Sequence, residues 1–445
     1  MSKYRVIVVG AGPAGIFAVK KLNELGINDV VLFEAGKDIK ERGKEEVLRG
    51  WGGAGAFSDG KLILSPEAGG NLTDYLSHQK IKEMIDEVDR TFVNYGAPLK
   101  TYGGNPQKEE WLKKKATMAG MIYVPLVLKH LGTELAREIL YKIREDANKW
   151  CEFHPNSPVE KIIVENGEAR GVVVNGKSVY GKYVIIAPGR VGSEWLMKEC
   201  SRLGIESVPS PVDIGVRVEV PAVIMEEITN LVYEAKLIYF TPTFNDKVRT
   251  FCMNPYGEVV LEKTDGLITV NGHSFKNKKT ELTNFALLVS TTFTHPFKDP
   301  ISYGKYIASL ANILGGTVIV QRYGDLIYGR RSTPERIRKN LFQPSLESAT
   351  PGDLSFVLPY RILHNIKETI SAMEGVVPKI SSPNTLLYGV EVKFYSNRIK
   401  LKSTMETDVK NLYIVGDGAG VSRGLVQSAV SGMIAGEDIG RKEKR

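Results

Sequence analysis

Val6-Ile7-Val8-Val9-Gly10-Ala11-Gly12-Pro13-Ala14-Gly15 decides the fold of this chain. The apolar run Val6 to Val9 reads as a buried parallel strand. The glycines follow as G-x-G-x-x-G, and the apolar-periodic segment Ile16 to Leu22 reads as the next helix. In this pattern Gly10 permits a tight turn, Gly12 lets the backbone approach a pyrophosphate, and Gly15 lets the helix pack on the strand. Pro13 and Ala14 open the helix, whose free N–H groups and positive dipole end suit a phosphate. A second strand, Asp29 to Phe33, ends at Glu34, roughly 20 residues on, where an acid is expected to bind a ribose hydroxyl. Strand, glycines, helix, strand and acid in register predict a dinucleotide site.

The chain has 445 residues, too many for a single core, so two or three structural units are expected. Hydrophobic content of 42% and charged content of 25% are ordinary for a globular protein. No apolar run approaches the roughly 18 residues of a membrane span. Met1-Ser2-Lys3-Tyr4 leads almost at once into the first strand, which leaves no room for a signal peptide, so a cytoplasmic location and no membrane partner are expected. The net charge of +8 suits a surface that draws in an anionic ligand. No recognised binding motif accompanies that charge, so nucleic acid is not an expected partner. Cys151, Cys200 and Cys252 are widely spaced and form neither C-x-x-C nor a zinc pattern, and no metal site is expected.

Outward from the fingerprint, residues 72–95 and 127–150 read as amphipathic helices, the second on Leu131, Leu135, Ile139 and Ile143. Val159 to Val164, Arg170 to Val174 and Ser178 to Tyr180 read as strands joined by turns at Asn166-Gly167 and Asn175-Gly176. They lead into Tyr183-Val184-Ile185-Ile186-Ala187-Pro188-Gly189, a buried strand with a glycine turn. Strands and loops then alternate with a different texture. Thr333-Pro334-Glu335 there reads as a capped helix start. The dinucleotide-domain texture returns at Asn411-Leu412-Tyr413-Ile414-Val415-Gly416-Asp417-Gly418 and the helix Leu425 to Ile439. The expected fold class is α/β: a three-layer, Rossmann-like dinucleotide-binding domain with a central parallel sheet, formed by residues 1–210 and 386–445. An α+β substrate or cap domain, residues 211–385, is inserted into it.

The N-terminal unit, the strand ending in Ala187-Pro188-Gly189 and Tyr413-Ile414-Val415-Gly416-Asp417 together resemble the glutathione-reductase-type FAD fold with one dinucleotide fingerprint. That group usually reads A-T-G where this chain has Pro188. The resemblance implies that Asp417 holds the ribityl chain of FAD. It also implies that Gly424, Leu425 and Val426 present helix N–H groups to the flavin pyrimidine, where reduction places negative charge. Gly52 to Leu62, His130-Leu131-Gly132-Thr133, Asp213 to Arg217 and Arg249 to Pro255 further resemble a family of largely uncharacterised FAD-dependent dehydrogenases. That family commonly reads C-M-C-P-G-G where this chain has Cys252-Met253-Asn254-Pro255-Tyr256-Gly257, so a two-cysteine redox role is not expected.

The expected cofactor contacts are Gly10, Gly12, Pro13, Ala14, Gly15, Glu34, Ala35, Arg42, Gly53, Ala54, Phe57, Ser58, Val159, Ala187, Pro188, Gly189, Gly416, Asp417, Gly424, Leu425 and Val426. Glycines and Ala54 permit close backbone approach, and Arg42 suits the pyrophosphate. Lys61, His130 and Arg330 are the candidates for catalysis, with His130 and His273 as possible proton donors. Arg331, Arg217, His273 and Arg423 are the candidates for substrate binding. Paired arginines at the glycine turn Gly329-Arg330-Arg331 suit a carboxylate or phosphate. The leading expectation is an FAD-dependent oxidoreductase that transfers hydride at flavin N5 to or from a small, anionic molecule. No second G-x-G-x-x-G is present, so a nicotinamide, NAD(P)H, is expected only as a transient electron donor, with a ferredoxin as an alternative redox partner. A flavin-dependent enzyme modifying RNA or lipid, and a non-catalytic flavoprotein electron carrier, are the alternatives.

Overall fold

A computed structural model describes residues 4–43, 47–58, 60–264, 266–274, 279–293 and 299–444. Met1 to Lys3 and Asp59 of the Gly52 to Leu62 block lie outside the described residues. The chain divides into two compact units. The first comprises residues 1–101, 128–210 and 395–445, and the second residues 102–127 and 211–394.

The first unit is built on β1 (Tyr4–Val9), α1 (Pro13–Glu24) and β2 (Val30–Phe33). Val6 to Val9 are all buried, and parallel neighbours pair with β1 on both edges, as in the interior of a sheet covered on both faces. In sheet order the parallel strands are Glu152–His154, β2, β1, the end of Lys177–Ile186, and Leu412–Ile414. The first half of Lys177–Ile186 also closes an antiparallel meander with Val159–Glu165 and Glu168–Val174. Asn166, Gly167, Asn175 and Gly176 all adopt positive φ, between 50° and 75°, which two-residue hairpin turns require.

The C-terminal helix, Leu425–Glu443, packs on α1. Its contact face carries Gly432, Gly436 and Gly440 at four-residue spacing. A Cβ on Gly432 would lie 1.9 Å from the Ala14 carbonyl oxygen, so the helices meet there backbone to backbone. A Cβ on Gly436 would meet the Lys21 side chain at 3.1 Å and the Ala18 carbonyl oxygen at 3.3 Å. This stripe holds the start of α1 against the helix that enters the unit last.

The second unit is an α+β body on an eight-stranded sheet. The sheet order is Thr350–Pro351, Ile319–Arg322, Leu386–Lys393, Val212–Pro221, Leu282–Thr291, Lys247–Asn254, Lys236–Phe240 and Ile122–Val124. Its core includes Val216, Val218, Phe285, Leu287, Ile366 and Ile370. A hairpin, Glu258–Thr264 with Leu267–His273, adds a smaller cluster around Val259 and Val270.

Three boundaries differ from the sequence expectation. The return to the first unit falls at Tyr395 and not at 386, because Leu386–Lys393 pairs inside the second sheet with Val212–Pro221 and Ile319–Arg322. Residues 102–127 belong to the second unit, since Ile122–Val124 pairs with Lys236–Phe240. The helix expected from 127 begins at Thr133. Leu128–His130 is instead a strand paired with Lys61–Ile63, and Gly132 turns the chain with φ +75°.

The glycine stripe gives the first test. Alanine ordinarily favours a helix interior over glycine by about 1 kcal/mol. At Gly432 the added methyl must displace backbone, so Gly432→Ala is expected to lose roughly 1–3 kcal/mol of stability in urea unfolding. Gly436→Ala, whose methyl meets Lys21 Cβ and Cγ at 3.1 Å and needs shifts of only a few tenths of an ångström, is expected to lose less. Equal behaviour of the two variants would contradict this helix contact.

Candidate cofactor site

The site grows from Glu34 at the end of β2. Its buried carboxylate accepts three backbone N–H bonds: Ala11 at 2.7 Å, Gly36 at 2.8 Å and Gly50 at 2.9 Å. One acid thus ties the fingerprint turn to the strand end and to the loop that follows. A carboxylate offers about four acceptor positions, so roughly one remains for a ribose hydroxyl. Ser157 N donates to the Glu34 carbonyl at 2.8 Å, which brings the segment leading to Val159 alongside; Ala35 is exposed there.

The Gly50 to Phe57 loop is clamped onto the fingerprint. Gly52 N donates to the Ala11 carbonyl at 2.8 Å, and a Cβ on Gly53 would lie 3.2 Å from the Gly12 Cα. Arg42 is buried, and its guanidinium donates to the carbonyls of Trp51 at 2.5 Å, Gly53 at 3.0 Å and Val47 at 3.1 Å. Sequence reading assigned it to the pyrophosphate; in the fold it braces the loop. The Phe57 ring packs with the guanidiniums of Arg42 and Arg137, 4.9 and 5.2 Å from its centre. Ser58 Oγ closes a local turn, donating to the Gly55 carbonyl and accepting from Gly60 N. Ala54 is half-buried in the same loop.

Two segments from distant parts of the chain, residues 187–189 and 416–418, converge at the fingerprint. A Cβ on Gly10 would lie 2.1 Å from the Ala187 carbonyl oxygen, and one on Gly15 would lie 1.9 Å from the Gly10 carbonyl oxygen. A Cβ on Gly416 would meet Ala14 at 3.0 Å, and one on Gly418 would meet Pro188 Cγ and the Gly189 carbonyl oxygen at 2.8 Å. The Pro188 ring therefore occupies room left by a glycine on the C-terminal turn.

Gly12 is different. Its φ is −78°, open to any residue, and a Cβ there meets nothing within 4 Å. Neither backbone conformation nor packing requires glycine at this position. A phosphate drawn against the backbone would. The helix starts behind the two glycine turns fit the same purpose. Neither α1 nor the C-terminal helix has a side-chain cap or an acid in its first turn, so their first N–H groups and positive dipole ends suit an anion.

Asp417 is the other acid of the site. Ser422 Oγ donates to its Oδ1 at 2.6 Å, and Arg190 Nε lies 3.9 Å from its Oδ2. Asp417 is half-buried, and its desolvation raises its pKa from the ordinary aspartate value, opposed by Arg190, Ser422 and Arg423. A hydroxyl donated to it would compensate the partly desolvated charge, which suits a polyol chain. Gly424, Leu425 and Val426 stand at the start of the adjoining helix. Arg423 is exposed, stacked 3.9 Å over the Tyr395 ring, with its N–H on the Gly69 carbonyl.

Of the remaining candidates, Lys61 and His130 become cross-strand neighbours in the first unit. Arg330, Arg331 and His273 lie in the second. Arg217 is not a substrate contact. It is 0% exposed, forked onto Glu391 at 2.7 Å twice, and caged by the Cys252 carbonyl and the side-chain oxygens of Asn254, Asn271 and Asn284. Its five N–H donors are consumed in cross-linking strands. Burial pushes the Cys151 and Cys200 thiols up to about 12, which makes both inert at neutral pH. Sequence reading missed Ser422, Arg190, Arg137 and Gln427. Gln427 shares the first turn of the C-terminal helix and donates from Nε2 to the carbonyls of Pro66 and Ala68; only its place one residue after Val426 could have signalled it.

Residues 211–394 match the family described as FAD-dependent protein, C-terminal domain-like. The cofactor is FAD. An uncharacterized protein of Clostridium beijerinckii is 28% identical over 98% of this chain and 81% of its own length. Among solved structures, 3-ketosteroid-Δ4-(5α)-dehydrogenase from Rhodococcus jostii RHA1 is similar at 14% identity and a TM-score of 0.46, covering 99% of this chain and 98% of that one. Glycine oxidase from Geobacillus kaustophilus is similar at 12% identity and a TM-score of 0.43, covering 99% and 95%. Neither likeness decides a substrate. Among the described residues, no helix is long and apolar enough to cross a membrane.

The reading of Gly12 can be tested without activity. Serine caps a helix well and has open space there, so Gly12→Ser is expected to leave the unfolding midpoint of the apoprotein unchanged. FAD affinity, followed by flavin fluorescence quenching, is expected to fall at least about tenfold as the side chain displaces the phosphate. Unchanged affinity would remove Gly12 from the cofactor site.

Proposed function

We propose that this chain is an FAD-dependent oxidoreductase acting on a small, anionic molecule. The observation that carries the reading is the cradle itself. An acid-tied fingerprint, a glycine required by neither fold nor packing, a half-buried aspartate and two uncapped helix starts converge in one unit. FAD supplies two-electron chemistry at its ring. The chain's residues bind it, orient it and hold charge beside it.

The anionic substrate is supported by the second unit. There one buried carboxylate, Asp325, faces three guanidiniums: Arg330 at 2.8 Å, Arg336 at 3.7 Å and Arg322 at 4.0 Å. The cluster carries surplus positive charge, and the exposed Arg331 follows Arg330 in the chain. The Arg330 side chain is 49% exposed, so a carboxylate or phosphate from outside can share it. Lys61 and His130, paired across two short strands of the first unit, are the proposed proton-handling groups. NAD(P)H as a transient donor and a ferredoxin as electron partner fit the same reading, since only one dinucleotide fingerprint is present.

Anaerobic reduction of the FAD-loaded protein with a panel of small donors tests this. An anionic donor or acceptor is expected to give turnover. With it, Arg330→Lys keeps the charge but loses the planar fork, so KM is expected to rise several-fold with kcat little changed. Turnover confined to neutral substrates, with Arg330→Lys unaffected, would overturn the anionic assignment.

A further inference from the structure

The helix Pro300–Gly315 of the second unit turns one face inward. Gly304, Ile307, Ala308 and Ala311 are buried, and the helix packs on Val212–Pro221, Leu386–Lys393 and Leu267–His273. Asn312 fixes its rotation: Nδ2 donates to the Ile268 carbonyl at 2.8 Å, and Oδ1 accepts from Ile268 N at 2.9 Å. The opposite face therefore stays outward. It carries Tyr306, Leu310, Ile313 and Leu314, which are 73%, 40%, 76% and 57% exposed. An outward helix face is ordinarily polar or charged. The helix His78–Asn94 follows that rule, with Lys82, Glu83 and Arg90 exposed. On Pro300–Gly315 the one charged residue is Lys305. The four outward side chains leave on the order of 500 Å² of largely apolar surface in water, the size at which a patch marks an interaction site.

The pattern is its own complement. Tyr306 and Leu314 stand four residues either side of Leu310, so the stripe reads alike in both directions along the helix. A two-fold axis through Leu310 sets two such helices antiparallel. Tyr306 then meets Leu314 of the partner subunit, Leu310 meets Leu310 of the partner subunit, and Ile313 falls between Tyr306 and Leu310 of the partner subunit. The same register matches the charges. Lys305 falls beside Gly315 of the partner subunit, in a last turn that carries negative dipole charge and no basic residue of its own. The two lysines lie roughly 15 Å apart along the axis and are screened from each other by salt. A single lysine is too little for a lipid surface, where amphipathic helices carry a strongly charged polar face.

We propose that this face binds a second copy of this chain, helix against helix, about a two-fold axis at Leu310. Two stripes together remove about 1,000 Å² from water, the lower bound of a specific interface, so the dimer is a weak one with a Kd in the micromolar range.

Sedimentation velocity of the full-length, FAD-loaded protein from about 1 to 200 µM tests this. The native chain is expected to pass from monomer to dimer across that range. Leu310→Arg sets like charges against each other at the axis, and Ile313→Lys charges the most exposed of the four positions. Each is expected to stay monomeric at the highest concentration, with an unchanged thermal unfolding midpoint showing that it folds. Lys305→Glu is expected to weaken the dimer several-fold, whereas Lys305→Arg keeps it. The register has its own readout. Under mild oxidant Leu310→Cys is expected to give a disulfide-linked dimer on a non-reducing gel, and Lys305→Cys is not. A native chain that stays monomeric at the highest concentration, or a dimer that survives either Leu310→Arg or Ile313→Lys, would overturn the inference. So would capture of a monomeric protein by anionic phospholipid vesicles, lost in Leu310→Arg, which would give the face to a lipid surface. Linkage through position 305 and not 310, or indifference to Lys305→Glu, would overturn the two-fold register on which it rests.

Discussion

The first unit depends on one buried carboxylate. Glu34 gathers the N–H groups of Ala11, Gly36 and Gly50, so the fingerprint turn, the end of β2 and the following loop share a single anchor. Removing it would orphan three buried donors at once, each costing about 1–3 kcal/mol. Arg42 completes the arrangement from the other side by holding the loop's carbonyls. Donors go to the acid and acceptors to the guanidinium, and the loop is fixed over Gly12 with little helix or strand of its own.

That fixation gives the site its character. Gly10 and Gly15 are glycines because the protein's own backbone leaves no room for a side chain. Gly12 is a glycine beside open space. The distinction separates folding from binding within six residues. The same division recurs at the C-terminal end, where Gly432 serves helix contact and the uncapped helix start before it suits an anion.

Much of this was legible because it is local. The strand, the glycines, the helix and Glu34 follow one another within the first 34 residues, and each obeys a short-range rule. The Asn-Gly turns were legible for the same reason. Long-range pairing was not. Nothing near residues 102–127 signals that Ile122–Val124 joins a strand more than a hundred residues away, and the apolar stretch from Leu386 reads equally well in either sheet. Arg217 in an apolar strand reads both as a paired buried charge and as a ligand contact, and only the cage of Glu391 and three asparagines decides. Gln427 was invisible because its partners lie some 360 positions earlier.

The central claim is that these distant pieces form one cradle for FAD, with an adenosine ribose beside Glu34 and a polyol chain beside Asp417. The most direct measurement is the identity of the cofactor released when the purified protein, saturated with flavin, is denatured and chromatographed. FAD at one equivalent per chain is the expected result. FMN, which has no adenosine to engage Glu34, or no flavin after reconstitution, would contradict the account.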